Sequence, residues 1–380
     1  MPFLPLYFQQ LGVQDVGEIA MWSGLSLGVT PALTAMMSPF WGRLADRYGR
    51  KVMVERSLVS FVVVMAALAF VTRPWHVFAL RAAQGLFAGY GALALTMAAD
   101  SAPRDRTAYA IGYVQTAQRL GPAIGPIVGG VVAQLVGMRR AFLVTSAFFV
   151  VAVLLVLFMY DERPVVHTEE SGARGRVTFR NVLAFENFIL LMAVIFGLQF
   201  VDRSFGPVLP LYVAELGTPV DRVPIVAGVI FSIAAGAGAI GHHVCGALLR
   251  RAPARRVIAS SVAVGAAGAV VYVLAGGVWL LFLATPLFGA AIGVATTAAY
   301  TAASSVIPAS ARGAGFGLLT TASLAGLAIS PIVNGMLAAT SIRAVFLLDA
   351  FGLIALAVVV SRLMIGASLP ETTAPATEEL

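Results

Sequence analysis

The sequence predicts an all-α membrane protein built from two related six-helix halves. The chain of 380 residues is 59% hydrophobic and 11% charged, with a mean hydropathy of +0.90. A soluble domain carries more charge than this on its surface. Long apolar runs recur along the chain, and motifs of the first half return in the second.

Eleven apolar runs are long enough to cross a bilayer, which takes about 20 residues of helix. They fall at 19–41, 53–72, 75–99, 109–136, 139–160, 187–214, 223–247, 256–276, 279–304, 313–338 and 342–365. The stretch from Met1 to Leu11 is apolar but too short to cross. We interpret it as the outer end of a first helix that is otherwise missing, through either an internal start or a truncation. The eleven runs are therefore numbered from the second to the twelfth span.

These runs divide the chain into four segments. An N-terminal helical bundle covers 1–160, and a C-terminal bundle covers 187–365. The polar segment 161–186 between them is interpreted as a linker. The tail 366–380 is polar, contains several glutamates, and is expected to be disordered.

The basic residues predict the orientation in the membrane. One set of gaps between the runs carries seventeen of them, and the alternate set carries five. The positive-inside rule therefore places the first set, the linker and the C-terminus in the cytoplasm, with the chain in the inner (plasma) membrane. This distribution explains the net charge of +7 without a nucleic-acid partner. The single cysteine, Cys245, excludes an intrachain disulfide.

An internal repeat relates the two halves. The segment Pro2 to Tyr7 returns at Pro207 to Tyr212, and Pro126-Ile127-Val128 returns at Pro331-Ile332-Val333. Trp75 and Gly85 have counterparts at Trp279 and Gly289. Many secondary transporters are built from such repeats, with the substrate site between them near the bilayer midplane.

A glycine-rich basic loop joins the second and third predicted helices. Its glycines permit a tight turn, and an aspartate within it can bind basic neighbours, so the loop can latch the cytoplasmic face and release it when the halves rock. An ordinary basic loop is the alternative. The predicted latch residues are Gly42, Asp46, Arg47, Gly49, Arg50, Lys51 and, at the end of the fourth run, Asp100. In the second half Arg250 and Pro253 replace the counterparts of Asp46 and Gly49, so a symmetric latch is not expected.

The fifth run contains a motif of glycines and prolines. Glycines four apart allow another helix to approach closely, and prolines favour a kink. Helix packing alone is the alternative function of this motif. Its residues are Gly121, Pro122, Gly125, Pro126, Gly129 and Gly130.

Few ionisable side chains lie inside the predicted spans, where they are costly and usually face a cavity or a partner. Asp202 is the first candidate for a proton-carrying carboxyl, and a structural ion pair is its alternative. Arg81 could lower the pKa of a nearby carboxyl or hold an anionic substrate, and an arginine anchored near the outer interface is its alternative. The full set of proton-coupling or cavity candidates is Arg81, Gln84, Gln115, Arg119, Gln199, Asp202 and Arg203. Asp349 in the twelfth span is a further candidate carboxyl, but it lies near an outer end, so an interfacial position is predicted for it. His242 and His243 could titrate near neutral pH and are likewise predicted to be interfacial.

On these motifs the chain resembles the major facilitator superfamily over nearly its whole length, and within it the twelve-helix drug:proton antiporters, the MdtG-type multidrug exporters. The loop from Gly42 to Lys51 resembles the signature Gly-x-x-x-Asp-Arg-x-Gly-Arg-Lys. The segment from Gly121 to Gly130 resembles the antiporter signature Gly-Pro-x-x-Gly-Gly. The fourth run resembles the motif Arg-x-x-Gln-Gly, whose arginine is linked to proton transfer.

The resemblance implies a major facilitator fold and proton-coupled export of drugs or lipophilic small molecules by alternating access. The expected partners are a small-molecule substrate, protons and the lipid bilayer, and the protein is expected to be a monomer. We expect no enzyme activity, cofactor or metal, since the sequence has no phosphate-binding loop, metal-ligand spacing or activated nucleophile. The alternatives are an uptake symporter for a small metabolite and a transport-inactive, truncated membrane protein.

Overall fold

The computed structural model describes residues 3–89, 93, 94, 97, 107–160, 187–307 and 312–364. These residues form thirteen helices and no strand. In chain order the helices are α1 (Leu4–Gln10), α2 (Val16–Tyr48), α3 (Arg50–Leu68), α4 (Pro74–Phe87), α5 (Thr107–Val136), α6 (Met138–Met159), α7 (Phe188–Ser204), α8 (Leu209–Glu215), α9 (Val223–Leu249), α10 (Ala254–Leu274), α11 (Val278–Val306), α12 (Arg312–Ala338) and α13 (Ile342–Leu363).

The eleven predicted spans correspond to helices, with two differences. The seventh span is broken into α7 and α8, which meet at 47°. Gly206 and Pro207 lie at this break, and proline disrupts the backbone bonding of a continuing helix. In the fourth span, α4 ends at Phe87, before Gly89 with its φ of +136°, and residues 93, 94 and 97 beyond it are helical again. Seven of the helices in the described ranges are each long and apolar enough to cross a membrane, or eight if α7 and α8 count as one span.

The two halves pack against each other along two helix pairs. Helix α2 of the first half lies on α12, and α5 lies on α9. Within the second half, α11 packs between α9 and α10, and α7 packs on α11, α12 and α13. Helix α6 presents most of its apolar side chains outward, with only Met138 and Ser146 buried. Such a surface fits a lipid environment.

Matched hydrogen bonds support the sequence repeat. The hydroxyl Oη of Tyr7 donates to the carbonyl of Leu68 (2.5 Å), and that of Tyr212 donates to the carbonyl of Tyr272 (2.6 Å). Helices α1 and α8, which carry these tyrosines, both begin Leu-Pro-Leu-Tyr.

The arginine pair Arg139 and Arg343, 204 residues apart, makes a second matched bond. Nη2 of Arg139 donates to the carbonyl of Val71 (3.2 Å), and Nη2 of Arg343 donates to that of Ala275 (3.5 Å). These two arginines, with Arg73 and Arg222, mark what we call the arginine-poor end of the bundle, where α2 and α9 begin. The opposite end, where α2 and α9 finish, is the arginine-rich end.

Candidate functional site

The seam between the halves consists of glycines packed against backbone carbonyls near the arginine-poor end. A Cβ added at Gly24 of α2 would overlap the carbonyl oxygen of Pro331 on α12. A Cβ added at Gly228 of α9 would lie 2.5 Å from the carbonyl oxygen of Pro126 on α5. Gly24 and Gly228 are counterparts in the repeat, as are Pro126 and Pro331, so the two contacts are equivalent.

The seam contains a second pair of contacts, in which α12 and α5 supply the glycines and α2 and α9 supply the carbonyls. A Cβ at Gly335 would lie 2.5 Å from the carbonyl oxygen of Ala20, and one at Gly130 would lie 2.6 Å from that of Pro224. Real side-chain carbons do not approach a carbonyl this closely. We therefore define the seam by its four glycines, Gly24, Gly130, Gly228 and Gly335, each of which lets two backbones touch where any side chain would hold them apart.

Only part of the glycine and proline motif in the fifth span takes part in this seam. Gly130 and Pro126 belong to the seam, and Gly129 packs against the ring of Phe3. By contrast, a Cβ at Gly121 or Gly125 would meet no atom within 4 Å. Only the part of the motif nearer the arginine-poor end therefore packs closely against another element.

The segment from Gly42 to Lys51, predicted to be a loop, is helical on both sides of Gly49: α2 runs to Tyr48 and α3 begins at Arg50, so Gly42 lies inside α2. The chain turns at Gly49, which has a φ of +94° that L side chains rarely adopt. Lys51 Nζ donates to the carbonyl of Leu157 at the end of α6 (3.0 Å), and the Arg47 guanidinium lies 5.4 Å from the ring centre of Tyr48. These contacts tie the loop to the first half. The side chain of Asp46, and Asp100 as a whole, lie outside the described residues, so the latch stays a prediction.

Arg81 lies inside the first half, between α4 and α2, with 7% of its surface exposed. Its Nε donates to the carbonyl of Ser26 (3.2 Å), and its Nη1 donates to Oε1 of Gln84. The hydroxyl of Thr30 donates back to the carbonyl of Arg81 (2.8 Å). A Cβ at Gly85 would lie 2.5 Å from the carbonyl oxygen of Thr30, so α2 and α4 touch here. The guanidinium therefore sits among neutral acceptors in the interior of the first half.

Asp202 and Arg203 on α7 are both about half exposed. Arg203 Nε lies 3.3 Å from Asp202 Oδ2, with 49% and 43% of the respective side chains exposed. This geometry is that of the ion pair left open as the alternative for Asp202. Gln199, one turn earlier, donates from Nε2 to the hydroxyl of Ser323 on α12 (3.0 Å). The side chains of Gln115 and Arg119 lie outside the described residues.

The prediction that Asp349 is interfacial is wrong. Asp349 is 1% exposed, and its Oδ2 lies 2.5 Å from the hydroxyl oxygen of Ser204 on α7. It belongs to the buried stripe of α13 that also includes Ile342, Phe346 and Leu353. Spacings of three and four residues put these side chains on one helix face, and that periodicity is the signal by which the sequence could have located Asp349.

The two adjacent histidines differ. His242 is half-buried, and its Nδ1 lies 2.7 Å from the hydroxyl of Thr297 on α11, whereas His243 is exposed. No group of three or more His, Cys, Asp or Glu side chains in the described ranges is arranged to hold a metal ion.

Sequence reasoning missed a cluster at the end of α4. Arg56 was counted among the seventeen basic residues between the runs. It lies in the second turn of α3, with its guanidinium 3.2 Å from the ring centre of Trp41. Its Nη2 donates to the carbonyl of Phe87 (3.1 Å), and Trp41 Nε1 donates to that of Leu86 (2.7 Å). These side chains satisfy carbonyls that the end of α4 leaves free. The available signal was that Glu55 and Arg56 follow the apolar triplet Val52-Met53-Val54, inside the predicted run 53–72, so Arg56 belongs to the helix.

Comparison with solved structures shows the fold. The chain superposes with a TM-score of 0.78 on an inward-facing, occupied crystal structure of a bacterial homologue of the human lysosomal transporter Spinster, at 16% identity over 95% of this chain and 92% of that one. It superposes with a TM-score of 0.73 on the nucleoside transporter NupG, at 17% identity over 96% of both chains.

Relatives of higher identity carry names of efflux proteins. The chain is 37% identical over 237 residues to the multidrug resistance protein MdtG of Citrobacter koseri, and 35% identical over 237 residues to a homologue of the multi-drug resistance efflux pump PmrA from Lactococcus lactis. Each match covers 61% of this chain and spans 57% of the relative's length.

A family model described as the Major Facilitator Superfamily matches residues 1–284, which is most of the chain. The two solved transporters share its all-helical architecture. The match agrees with the expectation of a transporter and not of an enzyme, since the relatives cited are transporters or efflux proteins by name. The chain belongs to the Major Facilitator Superfamily.

Proposed function

We propose that this protein is a secondary active transporter that exports drugs or other lipophilic small molecules from the cell, driven by protons entering along their gradient. The names of its efflux relatives support the direction of transport. The single observation on which the mechanism depends is the four-glycine seam. It joins two equivalent halves by close contacts, and separating them would open a path between the halves.

The arginine distribution supports an orientation with the arginine-poor end outside and the linker and C-terminus in the cytoplasm. In this orientation the seam closes the outer side. Towards the arginine-rich end, α2 leaves Met36 and Phe40 exposed, and no described residue lies close to Gly121 or Gly125. These observations support a conformation that is closed outside and open towards the cytoplasm.

Alternating access then requires the seam to separate while the arginine-rich ends approach each other. Because the seam glycines contact carbonyls and bury no long side chains, few interactions are lost when it opens. We assign to the segment from Gly42 to Lys51, together with Asp46 and Asp100, the role of holding the cytoplasmic side closed in the opposite conformation. Arg119, Gln115 and Gln199 are the candidates for polar contacts with a substrate.

Dye efflux from cells tests this proposal. We expect cells that express the 380-residue chain to accumulate less ethidium than cells with an empty vector, and a protonophore to abolish the difference. A Gly24→Leu variant, produced at the same level, should accumulate ethidium as the empty-vector cells do. Equal accumulation with and without the wild-type protein contradicts export, and protonophore-sensitive accumulation above the control favours uptake.

A further inference from the structure

We propose that Asp349 holds a proton in this conformation, and that the Asp349–Ser204 pair is a proton-binding site coupled to closure of the seam. The protonated state follows from geometry alone, whereas its part in transport depends on the function proposed above. No bond other than O–H is made or broken, since a carboxylate takes up one proton from water and becomes a neutral acid.

A count of donors at Ser204 argues for the proton. Its hydroxyl oxygen lies 2.8 Å from the carbonyl oxygen of Val201 and 2.5 Å from Asp349 Oδ2. A carbonyl and an ionised carboxylate both only accept, and a serine hydroxyl has a single hydrogen for the two of them. A protonated Asp349 removes the conflict, because its O–H donates to Ser204 and Ser204 donates to Val201. The O–O distance fits a hydrogen bond in either direction and does not decide which oxygen carries the hydrogen.

The surroundings of Asp349 favour the neutral acid. Its second oxygen, Oδ1, is buried without a hydrogen-bond partner. In the described part of the chain, no cation lies within ion-pair distance of it, and an isolated buried carboxylate is strongly disfavoured.

The ionisable side chains on the elements nearest Asp349 are engaged elsewhere. Tyr212 of α8 donates to the carbonyl of Tyr272, and Tyr272 of α10 bonds to Thr285 of α11. On α7, Asp202 and Arg203 pair with each other. Arg343, at the start of α13 itself, donates to the carbonyl of Ala275. None of these groups therefore balances a negative charge on Asp349.

The pair is connected to the seam through the break between α7 and α8. Ser204 is the last residue of α7, and the chain bends by 47° before α8 begins. A Cβ at Gly206, inside the break, would lie 3.3 Å from Leu27 Cδ1 on α2, in the other half of the protein. When the seam opens, α2 moves away from the segment between α7 and α8. The break can then move Ser204 away from Asp349 and admit water from the outer side.

This arrangement couples proton uptake to closure. With the seam open, Asp349 is hydrated and exchanges its proton with the outside. Only the neutral form is compatible with the dry site that forms on closing. Protonation from the outside therefore favours the outer-closed conformation, and higher pH favours the open one.

Spin-label distances across the seam test the coupling without any substrate. Val16 and Thr340 are exposed near the seam on α2 and after α12, and each can be replaced by a labelled cysteine in a Cys245→Ala background. We expect the distance between the labels to lengthen as pH rises in the wild type. The Asp349→Asn variant, which mimics the neutral acid, should keep the short distance at every pH. Asp221→Asn, which changes an exposed aspartate just before α9, is the control and should respond as the wild type does.

A Ser204→Ala variant separates the two possible directions of the hydrogen bond. If Asp349 donates to Ser204, removing the hydroxyl weakens proton binding, and the pH at which the labels separate moves lower. If Ser204 instead donates to an ionised Asp349, that pH moves higher, and the proposal is wrong. Infrared spectra of the wild type should also contain a protonated-carboxyl C=O band that Asp349→Asn lacks.

Two further results would overturn the proposal: absence of that band, or a pH response that survives in Asp349→Asn. The same measurements separate it from the proposed function. If the labels respond to pH as expected and ethidium efflux is absent, the proton site stands and the export function fails.

Discussion

The two halves share a scaffold but bury opposite kinds of ionisable group. In the first half Arg81 lies among neutral acceptors, the carbonyl of Ser26 and the amide oxygen of Gln84. In the second half Asp349 has one hydroxyl beside it, near a cluster of aromatic rings around Phe346. A buried cation can be satisfied by carbonyls, which any helix pair supplies. A buried carboxylate needs donors, which helix interiors do not supply, so the second half accommodates an acid only by keeping its proton.

The seam is where the halves are most alike, and changing it should give the largest effect. In a Gly24→Ala/Gly228→Ala double variant, each new Cβ collides with a proline carbonyl, costing roughly 1–3 kcal/mol per site in the outer-closed state. The two sites are on different helices, so their effects should nearly add. We expect the spin-label distance across the seam to lengthen at low pH, where the wild type is closed.

The matched control is a Gly121→Ala/Gly125→Ala double variant in the same motif as Gly130. No atom lies within 4 Å of either new Cβ, so the seam should stay closed. If both double variants open the seam equally, the effect comes from helix propensity and not from contact between the halves. Opening by Gly24→Ala but not by Gly228→Ala would show that the two contacts are not equivalent.

Changing Arg81 should give an effect of intermediate size. In Arg81→Met the apolar chain fills much of the space, but Oε1 of Gln84 loses its donor, and the variant should be less stable by roughly 1–3 kcal/mol. Thermal unfolding in detergent micelles measures the loss. Adding Gln84→Leu should restore part of the stability, because the partner left without a donor is also removed. A double variant less stable than Arg81→Met would show that Gln84 is not the side chain that Arg81 satisfies.

The sequence predicted the helices well because apolar length alone determines where a span can lie. Helix α9 begins at Val223 and ends at Leu249, against a predicted run of 223–247. The break at Pro207 was missed because the run 187–214 is long and apolar as a whole, although Asp202 and Arg203 lie just before the break. Gly206 and Pro207 were the other local signals, but glycines and prolines also occur inside α5 and α12 without dividing them.

The candidate site was predictable only where one helix contains the whole pattern. The glycines of the fifth span correctly indicated close helix packing, and Gly130 takes part in it. The partner helix α9, and the equivalent contact at Gly24, depend on tertiary arrangement that one sequence does not specify. Asp349 was misplaced because its distance from the end of the span was considered, and not its position on the buried face of α13.

The smallest expected effect tests whether the two scaffolds are still equivalent away from the seam. Tyr7→Phe and Tyr212→Phe each remove one hydroxyl, which donates to a carbonyl in α3 or in its counterpart α10. Each variant should therefore be less stable by about 0.5–1.5 kcal/mol in thermal unfolding. Tyr160→Phe, whose hydroxyl makes no hydrogen bond within the described ranges, should lose less.

Equal losses at Tyr7 and Tyr212 mean that the halves differ only in their buried ionisable groups. A larger loss at Tyr212 would mean that the aromatic cluster beside Asp349 strengthens this bond, because the ring of Tyr212 packs against Phe346 in that cluster. The acid and the scaffold of the second half would then have diverged together from the first.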